Sequence, residues 1–334
     1  MSVLLALGAC SNDKKEVDKV DEELKQLLVE YKVLAKPEEG IDIPEIDSPV
    51  AQLGMQLFYS KALSGNKDTA CVTCHHPLLG GGDRLALPIG VDAKEHDFLG
   101  PGRLHSESGF HHDGGPTVPR NAPTTFNLAL YKKAIFHDGR LEMLADTTIR
   151  SPDSAFNTTD VNAINLAQAQ AMFPVTSPEE MRGQVLEGDT NAAIRTHLVN
   201  RLVSQEIGNS WLEEFQTAFN SNADAQTLIT MANISMAIGE YERSQLFVDN
   251  AWRRYVQGDD NAISASAKAG AITFYKPVSE GGAGCASCHS GDFFTDESYH
   301  AIAIPQLGRG KGDGEFGDDD FGRMRETKLA DDKY

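Results

Sequence analysis

Two copies of one short motif contain the residues of this chain that can do the most distinctive chemistry. The first copy is Cys71–His75, with the letters CVTCH, and the second is Cys285–His289, with the letters CASCH. The two thiols of a C-x-x-C-H motif can each add to a vinyl group of one porphyrin, and the histidine can then bind the iron. The sequence thus predicts two covalently bound haem c groups, held by Cys71, Cys74 and His75 and by Cys285, Cys288 and His289.

Three other interpretations of these cysteines explain less of the pattern. A zinc site needs four ligands, and the two motifs lie far apart in the sequence. A thioredoxin-like redox pair lies near a βαβ pattern, which is not recognisable here. A disulfide would not account for the histidine that directly follows the second cysteine in both copies.

Length and composition indicate the class of protein. With 334 residues the chain is long enough for about two domains, and one motif falls in each half. The apolar fraction of 40% and the charged fraction of 24% are typical of a soluble globular protein, and no apolar run is long enough for a membrane-spanning helix. The net charge of −19 argues against nucleic-acid binding. It indicates a solvated acidic surface, or the attraction of a basic redox partner.

The N-terminus predicts a location in the cell envelope. The segment Leu7–Cys10 is similar to a bacterial lipobox, in which the cysteine is lipidated after signal cleavage, although no basic region precedes it. A lipidated Cys10 would anchor the protein to a membrane without a spanning helix. The alternative is an apolar terminus with an unpaired cysteine. Because haem c is attached outside the cytoplasm, we expect a periplasmic or cell-envelope protein.

The elements around the motifs are predicted to be mostly helical. A charged tether over residues 11–19 precedes a helix over 20–36, and Ser48 with Pro49 marks the start of a helix that leads to the first motif. Further helices are predicted near residues 160–172, 177–187, 190–206, 210–220, 223–245 and 260–276. The fold class is therefore mostly α. Because a helix, a polar loop and the motif recur in each half, we expect two tandem cytochrome c-like haem domains, over residues 48–190 and 191–334, after a terminal segment 1–47.

Five segments, the last of which contains the second haem motif, form a further pattern along the chain. In order, they are Leu53–Phe58, Pro119–Thr124 with Phe126-Asn127, Phe136–Arg140, Phe173–Val175 with Glu180-Met181, and Cys285–Gly291. Together they resemble the bacterial di-haem cytochrome c peroxidases and their MauG-like relatives, from about residue 50 onwards. The resemblance implies that hydrogen peroxide is cleaved at the haem on His75, and that the haem on His289 takes electrons from a small cytochrome or cupredoxin. It also implies a calcium ion between the two domains.

The resemblance also assigns roles to single residues. Asn121 matches the family's calcium-ligating asparagine; the alternative is a turn residue that caps its own backbone. Glu180 matches a carboxylate that acts as acid and base in the distal pocket. Because Ser177 lies three residues before it, Glu180 can instead complete a capping box at a helix N-terminus. His137 occupies the position of the family's relay tryptophan, so it is either a hydrogen-bonding pocket residue or a loop histidine beside Asp138.

Two further departures from the family pattern concern the distal haem ligands. The loop from residue 80 to 123 is longer than in the peroxidases, and its candidates for a ligand of the first haem are His96, His105, His111 and His112. Among these, His105 ranks first because it follows a Gly-Pro-Gly-Arg turn. After His289 no segment with a distal Met or Tyr is recognisable, so we interpret the sequence as a fragment, and nothing in it places Met324 at the iron.

The sequence therefore predicts a periplasmic di-haem c-type peroxidase, which reduces hydrogen peroxide to water with electrons from a small redox protein. The first alternative is a MauG-like oxidase of a protein or organic substrate, and the second is a pure di-haem electron carrier. An open sixth position on the first haem would separate an enzyme from a carrier. A homodimer is compatible with each of these functions.

Overall fold

The structure, a computed structural model, describes residues 7–110, 112, 114–144, 148–151, 163–204, 210–300, 302, 321–324 and 328–329. Of residues 7–18 it describes only the helical backbone. None of the described helices is long and apolar enough to cross a membrane.

Helices dominate the described residues, which confirms the mostly α class. They are α1 (Leu7–Glu30), α2 (Pro49–Tyr59), α3 (Cys71–Cys74), α4 (Leu166–Gln170), α5 (Asn191–Val203), α6 (Trp211–Ala218), α7 (Ala225–Leu228), α8 (Met231–Ser244), α9 (Ala251–Val256) and α10 (Ala265–Tyr275). The strands β1 (Ala134–Ile135), β2 (Leu141–Met143) and β3 (Ile149–Arg150) form a small antiparallel sheet in that order. The sequence does not predict this sheet, because strands of two or three residues are too short for an alternating pattern.

The chain divides into two compact units, and each is built from two segments of the sequence. The larger unit comprises Asp42–Leu246 and Tyr299–Tyr334, and the smaller one Met1–Ile41 and Phe247–Ser298. Each unit contains one C-x-x-C-H motif. The boundary predicted at residue 190 falls inside the larger unit, because α5, α6 and α8 share one apolar core with α2. The terminal segment 1–47 is likewise divided between the units, at Ile41.

The helix α2 leads into the first motif and begins where the sequence predicts. Ser48 Oγ accepts a hydrogen bond from Ala51 N at 3.4 Å, and Pro49 occupies the first helical position, where no backbone donor is needed. Leu53, Leu57 and Phe58 are buried in the core, as their helical spacing predicts.

The helix α8 crosses α2 and α4 at very short range, and glycines make both crossings possible. A Cβ on Gly54 of α2 would overlap the carbonyl of Ala237 and lie 2.9 Å from the Tyr241 Cβ. A Cβ on Gly239 of α8 would lie 2.7 Å from the backbone nitrogen of Gln168 in α4. The three helices are thus fixed to one another by backbone contact, which holds the residues on α8 in a defined position.

The close crossing of α2 and α8 can be tested through Gly54. Gly54→Ala is expected to destabilise the protein by about 3 kcal/mol or more, because the added methyl group meets backbone atoms that cannot move aside as a side chain would. Urea unfolding measures this loss. Gly270→Ala is the matched control, since Gly270 also lies in a helix and a Cβ there meets nothing within 4 Å. It should be neutral or stabilise by up to about 1 kcal/mol. Equal changes in the free energy of unfolding for the two variants would contradict the close contact between α2 and α8.

The smaller unit packs α1 against the helices that precede the second motif. Leu24, Leu27 and Leu28 of α1 share an apolar core with Tyr255 and Tyr275. Lys268 Nζ and Asp21 Oδ1 form a largely buried ion pair at 2.7 Å. The Tyr255 hydroxyl donates a hydrogen bond to the same Asp21 oxygen at 2.9 Å. These contacts tie the N-terminal helix to α9 and α10.

Several element predictions were wrong in detail. The tether predicted over residues 11–19 is helical, because α1 begins at Leu7 and the lysines and Glu16 of this stretch are good helix formers. The helix also ends at Glu30 rather than residue 36, and Lys32 follows with a φ of +55°. The segment 177–187 forms only one turn, Pro178–Arg182, and the sequence does not predict α9. The pattern over 223–245 comprises two helices, α7 and α8.

Candidate active site

The first motif forms a short helix, and its histidine has a fixed orientation. His75 ends α3, and its backbone nitrogen donates to Cys71 O at 3.0 Å. His75 Nδ1 lies 2.9 Å from Pro123 O and 3.2 Å from Gly81 O. Because a carbonyl can only accept, Nδ1 carries the proton and Nε2 keeps its lone pair for a metal. Burial lowers the pKa of His75, which favours the neutral, ligating form.

The motif opens into a cleft of the larger unit. Its polar lining includes Cys71, Cys74, His75, Arg120, Asn121, His137, Arg140, Gln170, Glu180 and Glu242. Much of the remaining wall is apolar and includes Val118, Val175, Met181 and Ile238. A cleft with apolar walls and a few convergent polar groups is typical of a cofactor site. The structure thus brings together three residues that distant parts of the sequence predict for the site: His75, His137 and Glu180.

The two thiols of the first motif do not have the properties of a redox pair. Neither Cys71 nor Cys74 is in a disulfide. Burial raises the pKa of both thiols, that of Cys74 to about 12. Redox-active cysteine pairs have lowered pKa values, because the thiolate is the reactive form. Neutral thiols beside an apolar cleft wall instead suit the attachment of a large apolar group.

His137 lies in the turn of a β-hairpin at the wall of the cleft. The turn Phe136–Arg140 joins β1 to β2, and Gly139 N donates to Phe136 O at 3.1 Å. Phe136 has a φ of +69°, which is costly for a bulky side chain. The Arg140 guanidinium lies 4.2 Å from the centre of the Phe136 ring and helps to hold this conformation. His137 itself is exposed, so the structure supports its placement at the cleft but gives it no buried partner.

Asp138 stabilises the same hairpin through its buried carboxylate. Its carboxylate is fully buried and accepts from Arg120 Nη1 at 2.6 Å and from Arg140 N at 3.2 Å. The Arg120 side chain is only 17% exposed, so the pair is largely removed from solvent. A buried carboxylate that loses its charge leaves a cation without its partner.

Asp138→Asn is therefore expected to destabilise the protein by about 3–5 kcal/mol. Chemical unfolding followed by circular dichroism measures the loss. The control is Asp249→Asn, whose carboxylate is 87% exposed and lies 3.2 Å from Arg254; that change should cost less than about 1 kcal/mol. A small effect at both positions would mean that the Asp138 ion pair does not stabilise the hairpin.

Glu180 lies in the single π-helical turn Pro178–Arg182 and lines the cleft. The alternative role predicted for it, in a capping box, requires the Ser177 side chain to accept a hydrogen bond from a backbone N–H of the turn. Ser177 makes no such cap bond, and its Oγ lies 3.4 Å from the Glu179 carboxylate instead. The turn therefore places the Glu180 carboxyl at the cleft without a capping role for Ser177.

Two glycine-containing loops hold this turn in position. Gly65 N donates to Met181 O at 2.7 Å, and a Cβ on Gly90 would overlap the carbonyls of Glu179 and Glu180. Arg201 of α5 in turn donates to the Gly65 carbonyl at 3.1 Å. The position of Glu180 is thus determined by backbone contacts from both sides.

One acidic residue of the cleft, Glu242 on α8, was not predicted from the sequence. It is 2% exposed, and its Oε2 is buried without a hydrogen-bond partner in the described part of the chain. Burial raises its pKa to about 8. A signal for it was present, because Glu242 follows Ile234 and Ile238 at intervals of four residues and so falls in the apolar stripe of an amphipathic helix.

The second motif lies in the smaller unit and repeats the geometry of the first. His289 N donates to Cys285 O at 3.0 Å, and His289 Nδ1 lies 3.2 Å from Phe294 O. As in the first motif, a carbonyl therefore places the proton on Nδ1 and leaves Nε2 for a metal. Gly284, with a φ of +67°, allows the turn that precedes Cys285.

The described candidates for a distal ligand of the first haem, His96, His105 and His112, lie outside the lining of the cleft. His105 is buried, stacks on His112 at 5.5 Å between ring centres, and has an Nε2 without a hydrogen-bond partner. His96 is exposed, and His111 lies outside the described residues. The structure therefore does not bring His105 to the cleft, and its role as a ligand stays a prediction.

The remaining predicted residues are placed as follows. Asn121 lines the cleft and donates from Nδ2 to Leu85 O at 2.6 Å, which leaves its Oδ1 as a potential calcium ligand. Within the described part of the chain, no group of three or more His, Cys, Asp and Glu residues could hold a metal ion. Met324 N donates to Phe321 O at 3.2 Å, and the side chain of Cys10 is outside the described part of α1.

Comparison with known protein families identifies the class of this chain. A family model described as di-haem cytochrome c peroxidase matches residues 48–261, which is more than half of the sequence. The chain belongs to the di-haem cytochrome c peroxidase family. The match starts at Ser48, which caps α2, and includes the whole lining of the cleft. Membership in this family implies haem c as the cofactor.

Curated relatives within this family include both peroxidases and MauG proteins. The methylamine utilization protein MauG of Methylorubrum extorquens AM1 is 29% identical over 262 residues, which are 78% of this chain and 55% of that protein. The cytochrome c551 peroxidase of Pseudomonas aeruginosa PAO1 is 26% identical over 286 residues, which are 85% of this chain and 61% of that protein. The chain thus spans less than two thirds of the length of these relatives.

Solved structures of di-haem proteins share the fold. The diheme peroxidase BthA from Burkholderia thailandensis E264 aligns with a TM-score of 0.57 and 19% identity, over 89% of this chain and 65% of that one. A MauG-like protein associated with microbial copper homeostasis aligns with a TM-score of 0.52 and 20% identity, over 88% of this chain and 71% of that one. At such identities the similarity concerns the fold alone.

The residues of the cleft fit the haem of this family. Cys71, Cys74 and the free Nε2 of His75 supply the two thiols and the axial nitrogen that haem c requires. Arg120 and Arg140 line the same cleft and are cations of the kind that pair with the acidic groups of a porphyrin. Glu242 adds a buried polar atom that has no hydrogen-bond partner among the described residues.

Proposed function

We propose that this chain is a di-haem c-type peroxidase that reduces hydrogen peroxide to water at the cleft of the larger unit. The observation that carries the proposal is the composition of that cleft, where the first C-x-x-C-H motif meets Glu180 and His137. An electron carrier has no need of a carboxyl beside an open coordination position, whereas peroxide chemistry requires proton transfer there. The peroxidase relatives support the same conclusion.

The first step of the proposed mechanism is binding. Cys71 and Cys74 would hold haem covalently, and His75 would bind its iron through Nε2, while the hydrogen bond to Pro123 O keeps the ring in place. The bound haem would supply an iron that binds peroxide and accepts electrons. Arg120 and Arg140 would orient the cofactor by charge.

Proton transfer is the task of Glu180 in this mechanism. Its carboxylate would take the proton from the near oxygen of peroxide and return it to the departing oxygen, which leaves as water. His137 would donate or accept a hydrogen bond at the mouth of the cleft, in place of the tryptophan at this position in the peroxidases. The apolar wall around Val175 and Met181 would exclude bulk water from the reacting oxygens.

The smaller unit would receive the electrons. We propose that Cys285, Cys288 and His289 hold the second haem and that the donor is a small cytochrome c or a cupredoxin. The acidic net charge of −19 would attract a basic donor of this kind. On this proposal the two units are the two tandem haem domains of the protein.

Three further proposals concern the cellular location, a calcium ion and the oligomeric state. We propose a periplasmic or cell-envelope location, with a lipid anchor on Cys10, because haem c is attached outside the cytoplasm. Asn121 is the proposed calcium ligand through its Oδ1. A homodimer is compatible with this arrangement.

A MauG-like oxidase is the second candidate function. The observation that favours it is His137, since an exposed histidine at the cleft replaces a residue that would relay electrons between the haems. Such an enzyme would oxidise a protein or organic substrate rather than a redox donor. The relative with 29% identity is a MauG protein, and this similarity supports the alternative.

Haem stoichiometry and ligand binding test the proposal against the carrier alternative. The chain, produced in a host that attaches haem c, should contain two haems by pyridine haemochrome and mass spectrometry. Added cyanide should change the optical spectrum of one of them, because the proposed reaction requires an open coordination position on the iron of the His75 haem. One haem or none would refute the di-haem proposal. Two haems that both fail to bind cyanide would favour the electron carrier.

A further inference from the structure

Glu242 is a buried carboxyl in the wall of the cleft that the proposed mechanism does not use. It is 2% exposed and lies on α8, which close backbone crossings fix against α2 and α4. Its Oε2 is buried and has no hydrogen-bond partner among the residues that the structure describes. A carboxyl that is buried without compensation favours its neutral form, and this burial raises the pKa of Glu242 to about 8.

The charges around Glu242 come mainly from the cleft itself. The helices α2 and α4 carry no acidic or basic side chain apart from the Tyr59 phenol. On α5 the charged or titratable groups are Arg195, His197 and Arg201, and on α8 itself they are Glu240, Tyr241 and Arg243. The titratable groups in the cleft are Cys71, Cys74, His75, Arg120, His137, Arg140 and Glu180. Burial is the cause of the shift in its pKa, so a new charge in the cleft should act on this carboxyl strongly.

We propose that Glu242 is a proton site coupled to the reduction of the haem in this cleft. When one electron from the donor enters that haem, the Glu242 carboxylate takes up one proton from solvent; when the haem is oxidised again, the carboxyl releases it. The proposal rests on the proposed function only for the presence of a haem on Cys71 and Cys74. It assigns to Glu242 a role distinct from that of Glu180, which acts on the peroxide.

The direction of the coupling follows from charge. An oxidised haem carries one more positive charge than a reduced one, so it favours the carboxylate and lowers the pKa of Glu242. Reduction removes that charge, and the pKa returns towards the value of about 8 that burial alone imposes. Between the two pKa values the protein gains a proton with each electron, and in this range the reduction equilibrium changes tenfold per pH unit, or about 59 mV for one electron.

The test is a redox titration of the haem-loaded chain at several pH values. The potential of the His75 haem should fall as the pH rises in the range just below about 8. In Glu242→Gln, which keeps the shape of the side chain, this dependence should become much weaker. At the upper end of the range the potential should also lie above that of the wild type, because the carboxylate that stabilises the oxidised state is absent. Glu240→Gln on the same helix is the control and should retain the wild-type slope.

Two further measurements keep the outcomes distinct. Infrared difference spectra of reduced minus oxidised wild-type protein should show the carbonyl band of a newly protonated carboxyl, and a pH-indicator dye should record the proton uptake. These need no variant, so they decide the question even if Glu242→Gln does not fold. Equal slopes in wild type and Glu242→Gln, or the absence of that band from the wild type, would overturn the role of Glu242. A chain without a haem on Cys71 and Cys74 would instead overturn the proposed function.

Discussion

Replacement of Glu180 by glutamine is expected to lower peroxide turnover by about 10²- to 10⁴-fold while both haems stay attached. Glutamine keeps the size and the hydrogen-bonding capacity of the side chain but cannot take a proton from peroxide and return it. Because the turn Pro178–Arg182 is held by backbone contacts with Gly65 and Gly90, the change should leave the fold intact. Steady-state kinetics with a reduced cytochrome donor measure the loss.

The neighbouring residue provides the control for Glu180. Glu179 lies in the same turn, but its carboxylate contacts Ser177 and does not line the cleft, so Glu179→Gln should keep nearly full activity. A circular dichroism melt of both variants separates a chemical role from a structural one. Loss of activity that coincides with unfolding of Glu180→Gln would mean that Glu180 stabilises the turn. Full activity in Glu180→Gln would show that another group transfers the proton.

The paired replacement of Cys71 and Cys74 by alanine is expected to remove one haem and to abolish peroxide turnover. Two thioether bonds attach each haem c, and the cleft offers no other thiol among its lining residues. Mass spectrometry of the intact chain and a haem-stained denaturing gel measure what remains. The matched control is the paired replacement of Cys285 and Cys288.

The control pair should remove the other haem and have a different effect. Electron entry from the donor should be lost, yet the His75 haem should still react with peroxide when a small chemical reductant is supplied. A first pair that retains turnover would place the reaction elsewhere. If either pair loses both haems, the two motifs depend on each other for maturation.

The parts of the site that were predictable are those fixed by local sequence. The C-x-x-C-H spacing within each motif predicts its turn. In both copies the backbone nitrogen of the histidine donates to the carbonyl of the first cysteine at 3.0 Å. The start of α2 was predictable because Ser48 and Pro49 satisfy the helix terminus within a few residues. The resemblance to the peroxidases added His137 and Glu180, which the structure places at the same cleft as His75.

The parts that were not predictable depend on contacts between distant segments. The larger unit extends to Leu246 because Gly54 permits a crossing with Ala237, which is 183 positions further along the chain, and no local pattern reveals such a partner. The hairpin at His137 has strands too short to be seen as alternation. Glu242 was missed because a single acidic residue in an apolar stripe indicates a buried site only when the other wall of the cleft is known.

The most direct measurement of the central claim is the steady-state oxidation of a reduced small c-type cytochrome by this chain, loaded with haem, as a function of hydrogen peroxide. The account predicts saturable, peroxide-dependent oxidation, with a pair of cytochromes oxidised for each peroxide reduced to water. It also predicts that Glu180→Gln lowers the rate and Glu179→Gln does not. Absence of peroxide-dependent oxidation by a chain that carries both haems would contradict it.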